Sequence, residues 1–277
     1  MKKIYFWGSK DIKDLFKKAL VDFDLRGKKV LDFPAGSGDT ANYLYDKGAF
    51  ISALDMFPEF FKPNFVKCQG ADLQKTFPLD DQQMDVAICQ EGIEHVPNQL
   101  FVFQEFNRVL KTGGRFFVTT PNYSNLRSRF SYMLFEAETP KMLPPNEIES
   151  IWFGKGDDRV YFGHIFSIGI MKLRCLAKLA GFELVRVHPA RINWSAFVIA
   201  VIVFPVMFFL SLRNYLRSMR KNKNIALQKR TEVFNQILSL NFHPSVLLGG
   251  HLIVEFQKIS EASLVKKHFR QSEITST

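Results

Sequence analysis

Residues 29–38 read KVLDFPAGSG, and this stretch decides the fold. Its first half, Lys29–Phe33, is a short apolar run of the kind that forms a buried strand. Gly36 and Gly38 follow, and glycine lets the backbone adopt positive φ and approach a ligand closely. A helical pattern then covers Thr40–Lys47. A strand, a glycine-rich turn and a helix in this order are typical of a nucleotide-type binding site.

The alternation of strands and helices continues along the chain. Apolar residues at three- and four-residue spacing predict helices at Ser9–Phe23, Thr40–Lys47, Asn98–Lys111 and Ser167–Ala180. Short apolar runs predict strands at Lys29–Phe33, Phe50–Asp55, Phe65–Gln69, Asp85–Gln90, Arg115–Thr120, Phe182–His188 and His251–Lys258. This pattern predicts an α/β fold, a doubly wound and mostly parallel sheet with helices on both faces.

Three carboxylates stand at or just after successive strand ends. Asp32 is next to last in the first strand, Asp55 ends the second, and Asp72 follows the third. A carboxylate at the position of Asp55 can accept hydrogen bonds from both hydroxyls of a ribose, and Asp72 is placed to accept one from an adenine amino group. The alternative is that the glycines form only a tight turn and the aspartates only cap helices. Three acids at successive strand ends favour the ligand site.

Taken together, these residues resemble the class I S-adenosylmethionine-dependent methyltransferases. The resemblance rests on the turn in residues 32–38 (DFPAGSG), on residues 53–56 and 71–73, on residues 90–96 (QEGIEHV) and on residues 110–118. It covers roughly residues 25–190 and His251–Lys258. Pro34 stands where the family has its first glycine, which removes one backbone donor from the turn.

The resemblance implies a Rossmann-like sheet of seven strands whose last strand is antiparallel, and S-adenosylmethionine as the cofactor. It implies that Gly36 and Gly38 pack against the methionine part of the cofactor and that Asp32 holds its amino group. Asp55 would bind the ribose and Asp72 the adenine, and Gln90 and Glu91 would line the sulfonium end. The full set of implied cofactor-binding residues is Asp32, Gly36, Ser37, Gly38, Asp55, Met56, Asp72, Leu73, Gln90 and Glu91.

A nicotinamide dinucleotide is the competing cofactor. Residues 36–41 (GSGDTA) fit the pattern G-x-G-x-x-A of dinucleotide-binding turns, and an acid follows at a suitable distance. However, Asp32 beside the turn would repel a pyrophosphate, whereas a cationic sulfonium ligand tolerates carboxylates. Asp72 would also have no role.

Two histidines are candidates for a general base that takes a proton from the methyl acceptor. His95 follows the fourth strand, next to the expected sulfonium, and neutral imidazole works as a base near neutral pH. His164 ends residues 121–165, a segment that interrupts the alternation and that we interpret as a lid over the acceptor. The alternative is that either histidine only packs or anchors the lid. The six histidines are separated in sequence, and no H-E-x-x-H motif predicts a metal site.

The net charge of +10 suggests a nucleic-acid partner until its distribution is examined. Seven bases and no acid lie between Arg213 and Thr231, whereas residues 1–212 carry only +3 and residues 232–277 are balanced. This basic stretch directly follows 21 uncharged residues, Ile192–Leu212, a length close to the roughly 20 residues of a membrane-spanning helix. The expected partner is therefore an anionic membrane surface, and no nucleic acid is expected.

The apolar stretch lies in an insertion between the sixth and seventh strands. If both strands join one sheet, the insertion must leave and return on the same side of a membrane. Pro205 interrupts the stretch, so a helical hairpin bent near Pro205, or a helix lying in the membrane plane, is expected. A single transmembrane helix near residues 192–212, or a buried core helix, are the alternatives. The positive-inside rule favours the cytoplasmic face.

The sequence thus predicts four parts: a methyltransferase domain over 1–191, a membrane-associated insertion over 192–245, the last strand within 246–260, and a polar tail over 261–277. The three cysteines form no C-x-x-C pair, which favours a reducing compartment. The predicted function is membrane-associated methyl transfer to an amphipathic or lipid-linked small molecule. A non-catalytic membrane adaptor and a nucleic-acid methyltransferase are the alternatives, and the sequence gives no indication of the oligomeric state.

Overall fold

The computed structural model describes residues 10–21, 23–153 and 160–265. Its main sheet has seven strands, β1 Lys29–Asp32, β2 Phe50–Asp55, β3 Gln69–Gly70, β4 Met84–Gln90, β5 Leu110–Pro121, β8 Phe182–Val187 and β9 His251–Lys258. Their order in the sheet is β3-β2-β1-β4-β5-β9-β8. The first five strands pair in parallel, and β9 pairs antiparallel with both β5 and β8. The predicted fold class and the antiparallel last strand are confirmed.

Helices cover both faces of the sheet. The described helices are α1 Lys10–Ala19, α2 Asp39–Asp46, α3 Gln99–Val109, α4 Leu126–Phe135, α5 Ile170–Leu179, α6 Trp194–Lys221, α7 Leu227–Phe242 and α8 Pro244–Leu248. Alternate side chains of one strand enter different cores: Phe116 packs with Phe103 of α3, whereas Phe117 packs with Phe16 of α1. This period of two is what a sheet covered on both faces requires.

Several predicted boundaries are wrong. The third strand is predicted at Phe65–Gln69 but consists only of Gln69–Gly70. Phe65 stacks on Tyr45 of α2, and the chain bends there, so that only Gln69 and Gly70 lie beside β2 and pair with it. The helix predicted to extend to Lys111 ends at Val109, because Leu110 already pairs with Met84 as the start of β5. For the same reason β5 begins five residues before the predicted Arg115, whereas the remaining strands agree with the prediction to within one residue and β2 and β9 agree at both ends.

The segment predicted as a lid is not structureless. It contains α4 and a separate two-stranded sheet of β6 Ile151–Phe153 and β7 Val160–Phe162. Asn122, just after β5, ties the start of the lid to the returning chain, because its amide group donates hydrogen bonds to the carbonyl oxygens of Val246 and Gly249. Residues 154–159, inside the lid, lie outside the described residues.

The insertion between β8 and β9 is helical, and it extends beyond the predicted residue 245 to Leu248. The expected hairpin bent near Pro205 is wrong: α6 continues through Pro205 for 28 residues, or about 42 Å at 1.5 Å per residue. The chain reverses after Lys221, and α7 packs back along α6, with the Tyr215 hydroxyl donating to Asn235 Oδ1 at 2.9 Å.

Helix α6 is the one helix among the described residues that is long and apolar enough to cross a membrane. Only 6% of its most apolar 18-residue window is buried inside the structure. The alternative of a buried core helix is therefore wrong. The predicted helix start at Ser9 and most of the predicted polar tail, residues 266–277, lie outside the described residues.

Two glycines test whether β8 and the chain after β9 close against each other. Both have positive φ, but a Cβ on Gly181 would lie 2.3 Å from Ser260 O, whereas a Cβ on Gly27 would meet nothing within 4 Å. We expect Gly27→Ala to lower the free energy of unfolding by about 1 kcal/mol through the backbone alone. Gly181→Ala should cost roughly 1–3 kcal/mol more through the clash. Urea unfolding measures both variants, and equal losses would contradict the described closure.

Candidate active site

The glycine turn after β1 adopts a backbone conformation that requires glycine, above all at position 38. Gly36 and Gly38 have φ values of 53° and 81°, in the left-handed region. A Cβ on Gly38 would lie 2.4 Å from Pro63 Cδ, so a side chain there would displace the loop that follows β2. The peptide bond before Pro34 is cis. The turn is therefore held between the start of α2 and the loop after β2.

Asp55, at the end of β2, holds the turn directly. Its Oδ2 accepts a hydrogen bond from the Gly36 N–H at 2.7 Å, and its Oδ1 accepts one from the Phe57 N–H at 2.8 Å. An ionised carboxylate has about four acceptor positions, so each oxygen can accept one more hydrogen bond. Asp55 is thus both a support of the turn and a group that can bind two neighbouring hydroxyls.

Asp32 is a buried carboxyl group without a hydrogen-bond partner among the described residues. Its side chain is 1% exposed, and neither carboxylate oxygen has a hydrogen-bond partner among the described residues. Burial, and then the negative charge of Asp55, raise the pKa of Asp32 to about 8. A buried carboxyl without partners is costly. A cationic group placed against Asp32 would remove that cost.

The end of β4 brings two further predicted residues to the same edge of the sheet. Gln90 Oε1 accepts a hydrogen bond from the Thr40 hydroxyl at the start of α2. Glu91 has a φ of 49°, which is uncommon for a residue other than glycine. Its Oε1 accepts a hydrogen bond from the Thr119 hydroxyl at 2.9 Å, and its Oε2 lies 3.6 Å from His251 Nε2. Strained backbone of this kind often marks a functional position.

The remaining predicted cofactor residues are Asp72, Leu73, Met56 and Ser37, and they differ in burial and in hydrogen bonding. Asp72 is half-buried, and its Oδ1 accepts from the Gln74 N–H at 2.9 Å. Leu73 is buried and packs close to Gly92, and Met56 is half-buried after β2. The Ser37 hydroxyl donates to Asp39 Oδ2 at 2.9 Å, which directs it toward α1 and α2. No contact with a cofactor is needed to explain the orientation of Ser37.

The two predicted catalytic histidines lie together. The ring centroids of His95 and His164 are 5.1 Å apart, although 69 positions separate the residues in sequence. His95 Nδ1 lies 2.7 Å from the carbonyl oxygen of Phe162, and His164 Nδ1 lies 3.0 Å from Glu138 Oε2. Residues of the lid therefore position both rings.

A buried carboxyl, Glu94, completes this cluster. Its side chain is 1% exposed, its Oε2 accepts from the Thr120 hydroxyl at 3.0 Å, and its Oε1 lies 4.0 Å from His95 Nε2. Sequence reasoning missed Glu94 and Glu138 as site residues. The adjacency of Glu94 to His95 was an available signal, whereas Glu138 carries no local motif.

The protonation of the cluster follows from burial and neighbouring charge. Burial, and then the charge of His164, lower the pKa of His95 to about 4. Burial opposes protonation of His164, but the hydrogen bond and charge of Glu138 outweigh it and raise the pKa of His164. Burial, and then the charge of Glu91, raise the pKa of Glu94 well above its ordinary value.

Comparison with known proteins identifies the family. Residues 6–187, more than half of the chain, match the family described as "Methyltransferase domain". The chain belongs to this family. S-adenosylmethionine is the cofactor that the sequence predicts for this member of the family. The observed site fits that group, because the buried Asp32 carboxyl has no hydrogen-bond partner among the described residues and could face its cationic ammonium group.

Curated relatives match part of the methyltransferase. It is 30% identical over 129 residues to a ubiquinone biosynthesis O-methyltransferase of Vibrio vulnificus, which covers 43% of this chain and 54% of the relative. It is 33% identical over 107 residues to the protein of that name from Klebsiella pneumoniae, with 35% of this chain and 44% of the relative covered. The chain thus spans about half the length of these relatives.

Solved structures show the same fold at low sequence identity. A SAM-dependent methyltransferase from Archaeoglobus fulgidus superposes with a TM-score of 0.51 at 13% identity, over 89% of this chain and 94% of that chain. A putative S-adenosylmethionine-dependent methyltransferase from Listeria monocytogenes gives a TM-score of 0.50 at 13% identity, over 90% and 96%. At this identity the likeness concerns the fold alone.

The buried Asp32 leads to a prediction about protons. Since its pKa is about 8, Asp32 is mostly protonated at pH 7, and a cationic ammonium group bound beside it would lower that pKa. S-adenosylmethionine binding at pH 7 should therefore release a proton, and the affinity should rise from pH 6 toward pH 8, by at most about tenfold per unit. Calorimetry in buffers of different ionisation enthalpy measures the release.

Asp32→Asn should abolish the proton release and weaken binding, whereas Asp24→Asn, at an exposed aspartate before β1, should change neither. A wild-type affinity that stays flat between pH 6 and pH 8, with no proton released, would contradict the contact between Asp32 and the ammonium group.

Proposed function

We propose that this methyltransferase works on the cytoplasmic face of a membrane and methylates a hydroxyl oxygen of an amphipathic or lipid-linked small molecule. The observation that carries the proposal is the position of α6. This exposed apolar helix is built into the catalytic fold between β8 and β9, and it packs against α4 of the lid. The proposed membrane-binding surface and the proposed cofactor site therefore belong to the same folded domain.

The cofactor supplies a methyl group on a cationic sulfonium. In the proposal, Asp32 neutralises the ammonium group, and Asp55 accepts from the ribose hydroxyls with its remaining lone pairs. Asp72 accepts from the adenine amino group, and Gln90 and Glu91 line the methionine end. Gly36 and Gly38 pack against the methionine part through the backbone of the turn. Met56, Leu73 and Ser37 complete the proposed set, with Ser37 supporting the turn through Asp39.

Exposed apolar side chains on two helices support membrane contact. On α6 they include Trp194, Val198, Val201, Ile202, Val206 and Phe209. On α4 they include Phe130, Met133, Leu134 and Phe135. An apolar surface of this extent is rare on a protein that is surrounded only by water and typically marks a binding surface. Because α4 belongs to the lid, membrane contact and access to the active site are coupled.

The charges favour a helix in the membrane plane over a crossing. Arg213, Arg217 and Lys221 recur every four residues on the second half of α6, and all three are exposed. If α6 crossed the bilayer, these bases would lie on the side opposite the catalytic domain. The positive-inside rule would then place the domain outside the cytoplasm, away from the cofactor. With α6 in the plane, the bases contact anionic headgroups on the same side as the active site.

The acceptor class follows from the relatives and the lid. Proteins named ubiquinone biosynthesis O-methyltransferase share about 30% identity with this chain, which supports a small-molecule acceptor with a hydroxyl group. The acceptor hydroxyl must lose its proton, and the cluster of His95, His164 and Glu94 lies where the lid meets the end of β4. The general-base roles predicted for His95 and His164 stay predictions.

Removal of one carboxylate tests the cofactor site. Asp55→Ala should abolish S-adenosylmethionine binding in calorimetry, because it removes both the proposed ribose contact and the support of Gly36. Asp46→Ala removes an exposed carboxylate at the end of α2 and should bind normally. Thermal melting of both variants checks that they fold. Unchanged affinity in a folded Asp55→Ala variant would contradict the proposed ribose contact.

Vesicle binding tests the membrane surface. Replacing Arg213, Arg217 and Lys221 together by Gln should weaken binding to anionic vesicles about 100-fold, since each base near the surface contributes about 1 kcal/mol. Replacing the exposed Lys62, Lys67 and Lys75 by Gln removes the same charge elsewhere and should have little effect. Equal losses in both triple variants, or salt-sensitive binding to RNA instead of vesicles, would contradict the proposed membrane contact.

A further inference from the structure

Three side chains beside the proposed acceptor site form a cluster with the composition of a metal centre. Glu94, His95 and His164 each offer one ligand atom, and these atoms all lie within 4.8 Å of one another. Glu94 and His95 come from the turn after β4, and His164 comes from the end of the lid. Burial shields all three, since Glu94 is buried and both histidines are half-buried.

The two imidazole rings are held as metal-binding histidines usually are. His95 Nδ1 lies 2.7 Å from the Phe162 carbonyl oxygen, and a carbonyl oxygen can only accept. This contact favours the neutral tautomer that carries its proton on Nδ1. In that tautomer Nε2, which lies 4.0 Å from Glu94 Oε1, carries the lone pair. His164 Nδ1 lies 3.0 Å from Glu138 Oε2. A ring nitrogen bonded to a carbonyl or carboxylate is the common second contact of a histidine that binds metal.

Glu94 provides an independent observation that favours a cation at this cluster. Its Oε2 accepts from Thr120, but Oε1 is buried and has no hydrogen-bond partner among the described residues. A buried carboxylate oxygen without a partner is costly, and a cation bound to it would remove that cost. The oxygen lies on the side of His95 Nε2.

We propose that Glu94, His95 and His164 bind a divalent transition-metal ion, with Zn²⁺ as the best-fitting case. Two imidazole nitrogens and one carboxylate oxygen suit Zn²⁺, whereas Mg²⁺ prefers oxygen ligands throughout. Bonds of about 2.0–2.2 Å place tetrahedral ligands roughly 3.3 Å apart, so loading would draw the three side chains together by up to about 1.5 Å. Three protein ligands leave a coordination position open, as catalytic zinc sites do.

The open position gives the metal a role that rests on the proposed function. An acceptor hydroxyl bound there would lose its proton to water more readily, because a bound cation stabilises the resulting oxyanion. The O–H bond breaks with its electron pair left on oxygen, which forms the bond to the methyl carbon. The bond between that carbon and sulfur breaks with its pair left on sulfur. The histidines then act as ligands, and proton transfer to either of them is not needed.

Metal binding by the full-length chain tests the site without any acceptor. Protein treated with a chelator and dialysed against Zn²⁺ should retain one ion per chain by elemental analysis. Co²⁺ in its place should give visible absorption bands typical of low coordination number with nitrogen ligands. His164→Ala and Glu94→Gln should lower the metal affinity about 100-fold or more. His243→Ala, a histidine at the junction of α7 and α8, should retain it.

Glu138→Gln is the variant that keeps the test valid if a ligand variant fails to fold. It preserves the size of the side chain and should lower the affinity about 10- to 100-fold through His164. Absence of stoichiometric metal in the wild type, or affinity unchanged in folded His164→Ala and Glu138→Gln, would overturn the site in favour of a proton shared within the cluster. Metal that binds while S-adenosylmethionine does not would overturn only the proposed function.

Discussion

The antiparallel pairing of β9 between β5 and β8 is the constraint on which the rest of the structure depends. Seven residue pairs join β9 to β5, from Arg115 opposite Gln257 to Pro121 opposite His251. Because β8 and β9 are neighbours in one sheet, everything between them must leave the catalytic fold and return to it on the same side. The insertion of α6, α7 and α8 is therefore attached at both ends, and it cannot act as a separate anchor on a linker.

The same pairing connects the insertion to the site. His251 begins β9 and lies 3.6 Å from Glu91, which follows β4. Just before β9, the returning chain accepts hydrogen bonds from Asn122 at the start of the lid. The cofactor crevice, the lid and the apolar helix thus share neighbouring chain segments. A change in the position of α6 on a membrane would act on the lid through α4, with which it packs.

Two buried carboxyl groups determine which ligands the site can bind. Asp32 and Glu94 are each 1% exposed, and each has an oxygen without a hydrogen-bond partner among the described residues. The two groups lie at different parts of the crevice, one beside the glycine turn and one beside the lid. A folded protein keeps such groups at a cost in stability, and the cost is recovered when a cation binds. An ammonium group at Asp32 and a metal ion at Glu94 are the two cations inferred.

The sequence was sufficient for features that depend on local pattern. The short apolar runs predicted the strands of the sheet. The glycines of the turn and the acids at strand ends predicted that Asp32 and Asp55 lie together at its edge. The continuity of α6 through Pro205 was not predictable in this way, since a proline in a helix is tolerated only in particular surroundings. The meeting of His164 and Glu138 with His95 depends on how the lid folds back, and no local pattern encodes that contact.

The depth of α6 in a bilayer tests the central claim that catalysis occurs at the membrane surface. Trp7 and Trp152 are replaced by Phe, so that Trp194 is the single tryptophan, and separate variants carry the tryptophan at Val201 or Phe209 instead. Quenching by lipids brominated at different acyl positions measures its depth in anionic vesicles. An in-plane helix predicts the same shallow depth at all three positions. A tryptophan at position 201 lying about 10 Å deeper than at 194 would indicate a crossing. The absence of quenching at every position would contradict the account.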